Sequence, residues 1–471
     1  MKKALFILAV MLLCATTSFA EAKFSMTGSY WAEGKYWFNY NPGPGIDADY
    51  SDKAFGFIEQ DINLFPKITI DNTSLNFKVS ITDTWWGDYN ENGSSDEKVT
   101  QDLDTSSNDD NMQIERAFLT HKFNDMYTID VGLQDGTVFG TTFGDDKQPK
   151  WRIKGTAKTS AGILGAVLEK NKDRGSLAMG DESKSFDEGD DADAYGLFGI
   201  TKVGDVYGKL LLWYVVTHDA AYDADLDLNG DGDVSDPGET TDLSSAIGKV
   251  DVKLFNPVLA FNGDLGPISF ESEINYKYYT AEGGIADIDE SFSTYGVYLN
   301  FWKALDNMTP GIILAYGSYN DEIADAMAEL DPTDPAQAAA YMSLSTVKNY
   351  GAFDFEDDFD SSIILGDEYC WGGSGDDLQG MTLVKLYVND IKTGIKPLTL
   401  FGYFNYVMSN QKDTDYEDAT AWEACLGTNY AITSNLNYSV YGAFADISYD
   451  VDGIDDPDSV YMVANSISFS F

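Results

Sequence analysis

The sequence predicts an all-β protein: a transmembrane antiparallel up-and-down β-barrel of about 16–18 strands, with short periplasmic turns and long extracellular loops. Three observations carry that reading. Polar and apolar residues alternate with period two along most of the chain, connections alternate between short and long, and no run beyond the first residues is long and apolar enough for a membrane helix.

Residues 1–20 read as a cleaved signal peptide. Lys2 and Lys3 precede an apolar run of twelve residues, Ala4 to Ala15, and Ser18-Phe19-Ala20 supplies the small residues of a cleavage site. Twelve residues fall short of the ~20 that a spanning helix requires. Cys14 follows Leu13, which is bulkier than the small residue favoured before a lipid-modified cysteine. The mature chain then starts at Glu21, and 21–471 forms a single barrel domain, since no linker divides it.

Composition agrees. The chain has 29 Tyr, 27 Phe, 9 Trp and 43 Gly but only 12 Pro, a usage that suits strands and turns. Formal charge is −48, and nucleic acid is excluded as a partner because binding it needs a basic surface. Cys370 and Cys425 are the cysteines left after processing, which fits an oxidising compartment and at most one disulfide.

Alternation is clearest in Leu436–Phe444, with Leu436, Tyr438, Val440 and Phe444 on one face. In Ile268–Tyr278 the other face carries Ser269, Glu271, Glu273, Asn275 and Lys277. Mid-strand charges of this kind point into a polar lumen. Candidate lining residues are Glu59, Asp61, Lys78, Asp130, Arg152, Lys154, Lys209, Asp251, Lys253, Glu271, Glu273, Lys277, Lys385 and Glu423. Aromatics at strand ends, as in Tyr36-Trp37-Phe38, Trp85-Trp86, Tyr278-Tyr279 and Trp302, read as interfacial girdles.

A soluble sandwich alternates too, so the connections decide. Short ones fall near Asp71–Thr73, Asn124-Asp125, Lys158-Thr159, Val203–Asp205, Asn262–Gly266, Leu305–Asn307, Gly394–Lys396 and Thr433–Asn435. Long ones fall at 41–53, 87–110, 135–149, 172–190, 218–245, 281–290, 320–378, 411–418 and 450–458. A barrel with two unlike ends sorts its loops this way, and an even strand number puts both termini at the short-turn end. The longest connection, 320–378, is either a constriction or plug inside the lumen or a solvent-facing cap. Within it Asp321–Tyr341 reads helical, and Phe353–Phe359 alternates aromatics with acids.

The C-terminal strand is the most specific piece. Counting back in twos from Phe471 gives Phe469, Ile467, Asn465, Val463 and Tyr461. This resembles the C-terminal signal of bacterial outer-membrane β-barrel proteins, with Phe469 and Phe471 as the residues the barrel-assembly machinery reads; Asn465 departs from the pattern, which usually has an apolar residue there. Phe57–Ile68, Ile114–Leu119, Val131–Gln134 with Phe139-Gly140, and Gly427–Leu436 resemble segments of porins, in particular the porin and alginate-export-like barrels. That resemblance implies a passive or weakly selective pore in outer-membrane lipid and, for sixteen-stranded members, a homotrimer.

One local motif suggests a metal. Asp227, Asn229, Asp231 and Asp233, with Gly232 and Val234, match the start of a calcium loop, but its twelfth place is Gly238. A register running from Asp225 to Asp236 restores the final acid and loses the apolar eighth residue. Ca²⁺ binding and an acidic solvated loop both remain open, and no cofactor is required. A disulfide from Cys370 to Cys425 would tie the long connection to the wall, and it too remains open.

About half of the 78 acids lie in 87–110, 181–193, 219–242 and 321–377. Acidic vestibules gather cations, so a mild cation preference is expected; a charge that merely solvates the loops is the alternative. Catalysis finds no support, because His121 and His218 lie far apart and neither accompanies a nucleophile pattern. Two functions stay in view: a water-filled diffusion pore, and a structural or binding barrel, either an adhesin or a sheath around a partner such as a cytochrome.

Overall fold

The computed structural model describes residues 22–39, 54–86, 112–136, 138–145, 147–172, 192–218, 249–283, 288–320, 378–412, 417–448 and 459–471. Within 321–377 it describes 322, 325–326, 329–330, 344, 352–355, 359 and 361–365. The expected signal peptide, the Asp225–Asp236 motif and Cys370 lie outside these residues.

The first strands are β1 (Lys23–Phe38), β2 (Ala54–Ile70), β3 (Thr73–Trp86), β4 (Met112–Lys122), β5 (Tyr127–Asp135), β6 (Pro149–Thr159) and β7 (Gly162–Lys172). There follow β8 (Ala192–Val203), β9 (Val206–Thr217), β10 (Val250–Leu265), β11 (Ile268–Gly283), β12 (Ile288–Trp302) and β13 (Thr309–Gly317). A two-residue pair, β14 (Asp354–Phe355) with β15 (Leu378–Gln379), lies inside the longest connection. The chain ends with β16 (Met381–Lys392), β17 (Leu398–Ser409), β18 (Thr420–Ala431), β19 (Leu436–Ser448) and β20 (Val460–Ser470).

Leaving out β14 and β15, the strands make one 18-stranded antiparallel sheet, and β1 pairs with β20 from Ser29↔Ser470 to Phe38↔Tyr461. The barrel is therefore closed. Each strand has two neighbours, so no edge is left with unpaired backbone groups, as a hydrocarbon surround demands. The last residue completes the seam: Gly28 N–H donates to Phe471 O at 2.9 Å, and Phe471 N–H donates to Gly28 O at 3.0 Å.

Short turns gather at one end, as expected. Gly204 (φ +63) and Gly266 (φ +66) occupy the left-handed region that two-residue hairpins need. One long connection is shorter than expected. β11 and β12 continue to a Gly283↔Ile288 pair, so Glu282, Asp289 and Glu290, read as loop because they are charged, lie on strand ends. Strands that rise above the apolar belt can carry charge without desolvating it.

The outer surface is apolar where the strands cross mid-height, with Leu164, Leu168, Leu197, Leu210, Ile274, Leu386 and Leu426 all exposed. Toward the long-loop end an aromatic row runs around the outside. Phe404–Trp422, Trp422–Phe444 and Phe444–Tyr461 ring centroids lie 5.9, 4.9 and 4.9 Å apart. The expected girdles need one correction. In two of these groups strand alternation turns one aromatic inward: Trp37 is fully buried between exposed Tyr36 and Phe38, and Tyr279 is buried beside exposed Tyr278.

Candidate functional site

The interior has a charged wall and two chain segments folded against it. Most of the expected lining residues face inward and are paired. Lys35 Nζ lies 3.0 Å from Glu59, and Ser80 Oγ donates to Asp61 at 3.1 Å. Lys154 lies 3.2 Å from Asp130, while Lys78 pairs with Glu115 and Arg152 with Glu169. Glu271 accepts from Tyr298 Oη at 2.6 Å and from Asn300 at 3.1 Å. Lys277 Nζ sits 4.8 Å from the centroid of the Phe353 ring.

Lys253 and Asp251 do not line the lumen. Both lie on the outward row of β10, where Lys253 pairs with Glu282 at 2.9 Å and Asp251 with His218 at 3.3 Å. The inward row is Val250, Val252, Leu254, Asn256, Val258 and Ala260. A rule that sends apolar residues outward fails here because β10 is apolar on both faces, and its charges occur only near its two ends. His121 bonds Thr73 Oγ1 at 2.8 Å on β4, close to the short turns, so the two histidines serve opposite ends of the barrel.

The first inward segment is 138–145, between β5 and β6. It carries a 3₁₀ turn at Thr142–Gly144, capped by Thr141. A carboxylate on the wall holds it: Thr141 N–H and Oγ1 donate to Glu273 Oε2 at 2.6 and 3.0 Å. Lys209 Nζ donates to Gly140 O at 2.5 Å from the neighbouring wall. No room is left at the contact, since a Cβ on Gly140 would lie 2.3 Å from Glu273 Oε2.

The second is 352–365, from the longest connection. Its described residues pack against the inward face of the barrel wall. Glu423, fully buried, accepts from three successive backbone N–H groups, of Ile363, Ile364 and Leu365, at 3.1, 3.1 and 2.9 Å. Tyr403 Oη donates to the same carboxylate. Lys385, two strands away in register, donates to Ser361 O at 2.5 Å. Two residues read as lumen charges thus anchor the chain rather than face solute. Cys425, on the same inward row as Glu423, is buried and has no disulfide partner among the described residues.

Phe143 joins the two segments. Its ring centroid lies 5.5 Å from Tyr298, 5.4 Å from Phe353, 5.0 Å from Phe355 and 5.5 Å from Phe359. Such clusters combine area burial with specific ring geometry. Phe143→Ala is expected to weaken docking of 138–145 by about 3–5 kcal/mol. Hydrogen exchange of the Thr141 amide, fast in the variant and slow in the parent, checks this.

Opposite that cluster, a cavity of about 580 Å³ stays open against β4–β11. Its bases are Arg116, Lys150, Arg152, Lys154 and Lys277; its acids are Asp135 and Glu169. Lys150, Arg152 and Lys154 form a row on one strand because β6 turns alternate residues inward. Phe198, Leu211, Trp213, Val252 and Leu254 line the facing wall. Lys150 was legible from its spacing to Arg152. Thr141, Phe143 and Tyr403 were not, since only tertiary docking gives them a role.

No protein-family model matches the chain, and no curated protein matches it. Solved structures do. Pseudomonas aeruginosa OccK9 (OpdG) superposes over 95% of this chain and 99% of its own, with TM-score 0.51 at 11% identity. The fold is that of an outer-membrane porin. Two further porin-type structures align with lower scores. P. aeruginosa OccK2 (OpdF), solved with glucuronate, is 12% identical over 97% of this chain and 100% of its own, TM-score 0.48. The anion-selective porin of Comamonas acidovorans is 10% identical over 96% and 100%, TM-score 0.42.

Proposed function

We propose that this chain is an outer-membrane porin: a water-filled channel for passive diffusion of ions and small hydrophilic solutes, with a mild preference for cations. One observation carries the reading. A closed barrel, apolar outside, encloses a charged cavity that inward-folded segments, among the described residues, narrow without filling. Export through residues 1–20 and assembly through Phe469 and Phe471 fit the same location.

Two layers of charge set the selectivity. The acidic long connections concentrate cations at the mouth, and the bases of the cavity oppose them inside, so the net preference is small. Under a KCl gradient across a planar bilayer, discrete conductance steps are expected, with a reversal potential displaced toward that of K⁺. Anion selectivity would overturn the cation preference, and an absence of steps would overturn the pore.

The cavity also favours a second, finer reading. A basic row facing Trp213, Phe198 and Leu211 suits a small anion with an apolar body. Benzoate added on one side would then interrupt the current more than acetate does. A sheath around a partner protein is disfavoured, because Phe143, Phe353 and Phe359 take up interior space it would need.

A further inference from the structure

Three polar residues cross the inward face of β16, β17 and β18 in one row. Register places Asn405 between Lys385 on one side and Glu423 on the other. Leu383, Val407 and Ala421 lie beside them on the same face, all buried. The row is a polar strip in an apolar wall, and the chain's own 361–365 segment covers it.

That cover fits the two ends of the strip but not its middle. Lys385 takes a backbone carbonyl, that of Ser361, and Glu423 takes the N–H groups of Ile363, Ile364 and Leu365. Asn405 has no solvent exposure, yet neither its Oδ1 nor its Nδ2 has a hydrogen-bond partner among the described residues. The buried hydroxyls of Ser361 and Ser362 lack partners in the same way. Buried polar groups are normally bonded, and an amide with both donor and acceptor idle is costly. A strip that served only to hold the segment would be bonded, or apolar, at its centre.

The carbonyl on Lys385 stands where a carboxylate would bind, and the N–H groups on Glu423 stand where an ammonium would. Full charges there make stronger hydrogen bonds than peptide dipoles do. Between them, one peptide unit supplies both the acceptor and the donor that Asn405 lacks. Two strand spacings separate the outer roots of the row by about 9–10 Å. An extended dipeptide spans about 7 Å. The Lys385 side chain shortens the gap, its Nζ lying over the Tyr403 ring at 4.3 Å, on the side of Glu423's own partner.

We propose that Lys385, Asn405 and Glu423 form a binding site for a short zwitterionic peptide, which displaces the 361–365 segment when it binds. The carboxylate goes to Lys385, the peptide unit to Asn405 and the ammonium to Glu423, with small apolar side chains against Leu383, Val407 and Ala421. None of the three residues lines the open basic cavity. Admission of a peptide to the interior rests on the pore reading, whereas binding itself needs no conduction.

Amide hydrogen exchange of 361–365 tests this in the full chain, folded in detergent micelles. The probe is alanyl-alanine, and the control is N-acetyl-alanyl-alanine amide, which lacks both charges. Exchange at Ile364 and Leu365 is expected to quicken roughly tenfold once alanyl-alanine reaches about ten times its Kd for the bared row. The control should leave the rate unchanged. Asn405→Leu, checked as a folded barrel by heat-modifiable migration, should slow the resting exchange and lose the response; should it fail to fold, Lys385→Met is expected to lose the response in its place. No change with alanyl-alanine, an equal response to the control, or a variant that responds like the parent overturns the site. Conductance steps without a peptide response remove the site and leave the pore; a peptide response without steps does the reverse.

Discussion

Replacing Glu423 by leucine is expected to release the 361–365 segment and raise single-channel conductance by roughly a factor of two, because lumen width sets flux. In the parent the carboxylate receives three backbone N–H groups and Tyr403 Oη at a site with no solvent exposure. Leucine has a similar volume and accepts nothing. Ile363 N–H keeps a second acceptor in Tyr403 Oη at 2.9 Å, so the N–H groups of Ile364 and Leu365 lose their partner. Each donor left buried and unpaired costs about 1–3 kcal/mol, and both regain partners if the segment swings into water. The barrel keeps its ladder, so the variant should still migrate as a folded species. Glu423→Gln is the contrast. It keeps one acceptor oxygen but turns an NH₂ toward backbone donors, so conductance should rise less and fluctuate more. Recordings in which both variants match the parent would show that the segment stays put without its anchor.

Gly28→Val should act on the barrel itself. An added Cβ at Gly28 would lie 2.4 Å from Phe471 Cζ, against a ring that covers the glycine at the seam. Relief requires the Phe471 ring to swing off the glycine and give up its place at the seam. Phe471 is held by backbone bonds to Gly28 on both sides, and its ring also stacks on Phe469 at 5.6 Å. The seam is where the sheet becomes a barrel, and an open edge in a membrane is intolerable. The variant is therefore expected to reach the outer membrane at roughly a tenth of the parent level or less, consistent with a loss of at least 1.4 kcal/mol. Heat-modifiable migration of membrane fractions measures this. Phe471→Ala leaves the backbone bonds intact but removes the ring, so Gly28→Val combined with it should recover part of the loss.

The barrel was legible in the sequence because its cause is local. Alternation sets which side chains face out, and loop lengths set which end is which; neither depends on distant contacts. Glu271, Glu273 and Lys277 followed from parity on one strand. Lys253 was misplaced for the converse reason: β10 carries apolar residues on both faces, so parity had no marker there, and a charge above the apolar belt need not face the lumen. Lys385 and Glu423 were assigned to the right surface but given the wrong task. Nothing within their own strands shows that Ser361–Leu365 will lie over them. Thr141 and Phe143 share that obscurity, since a threonine and a phenylalanine in a loop acquire meaning only beside Glu273 and Tyr298.

A diffusion pore needs an interior that is narrowed but open, and solute flux into liposomes tests that most directly. Proteoliposomes carrying the pure, folded chain should swell quickly in small sugars and progressively more slowly as solute size increases. Glu423→Leu should shift the cut-off to larger solutes. Liposomes that do not swell in any solute, with the barrel shown to be folded and inserted, would contradict the account.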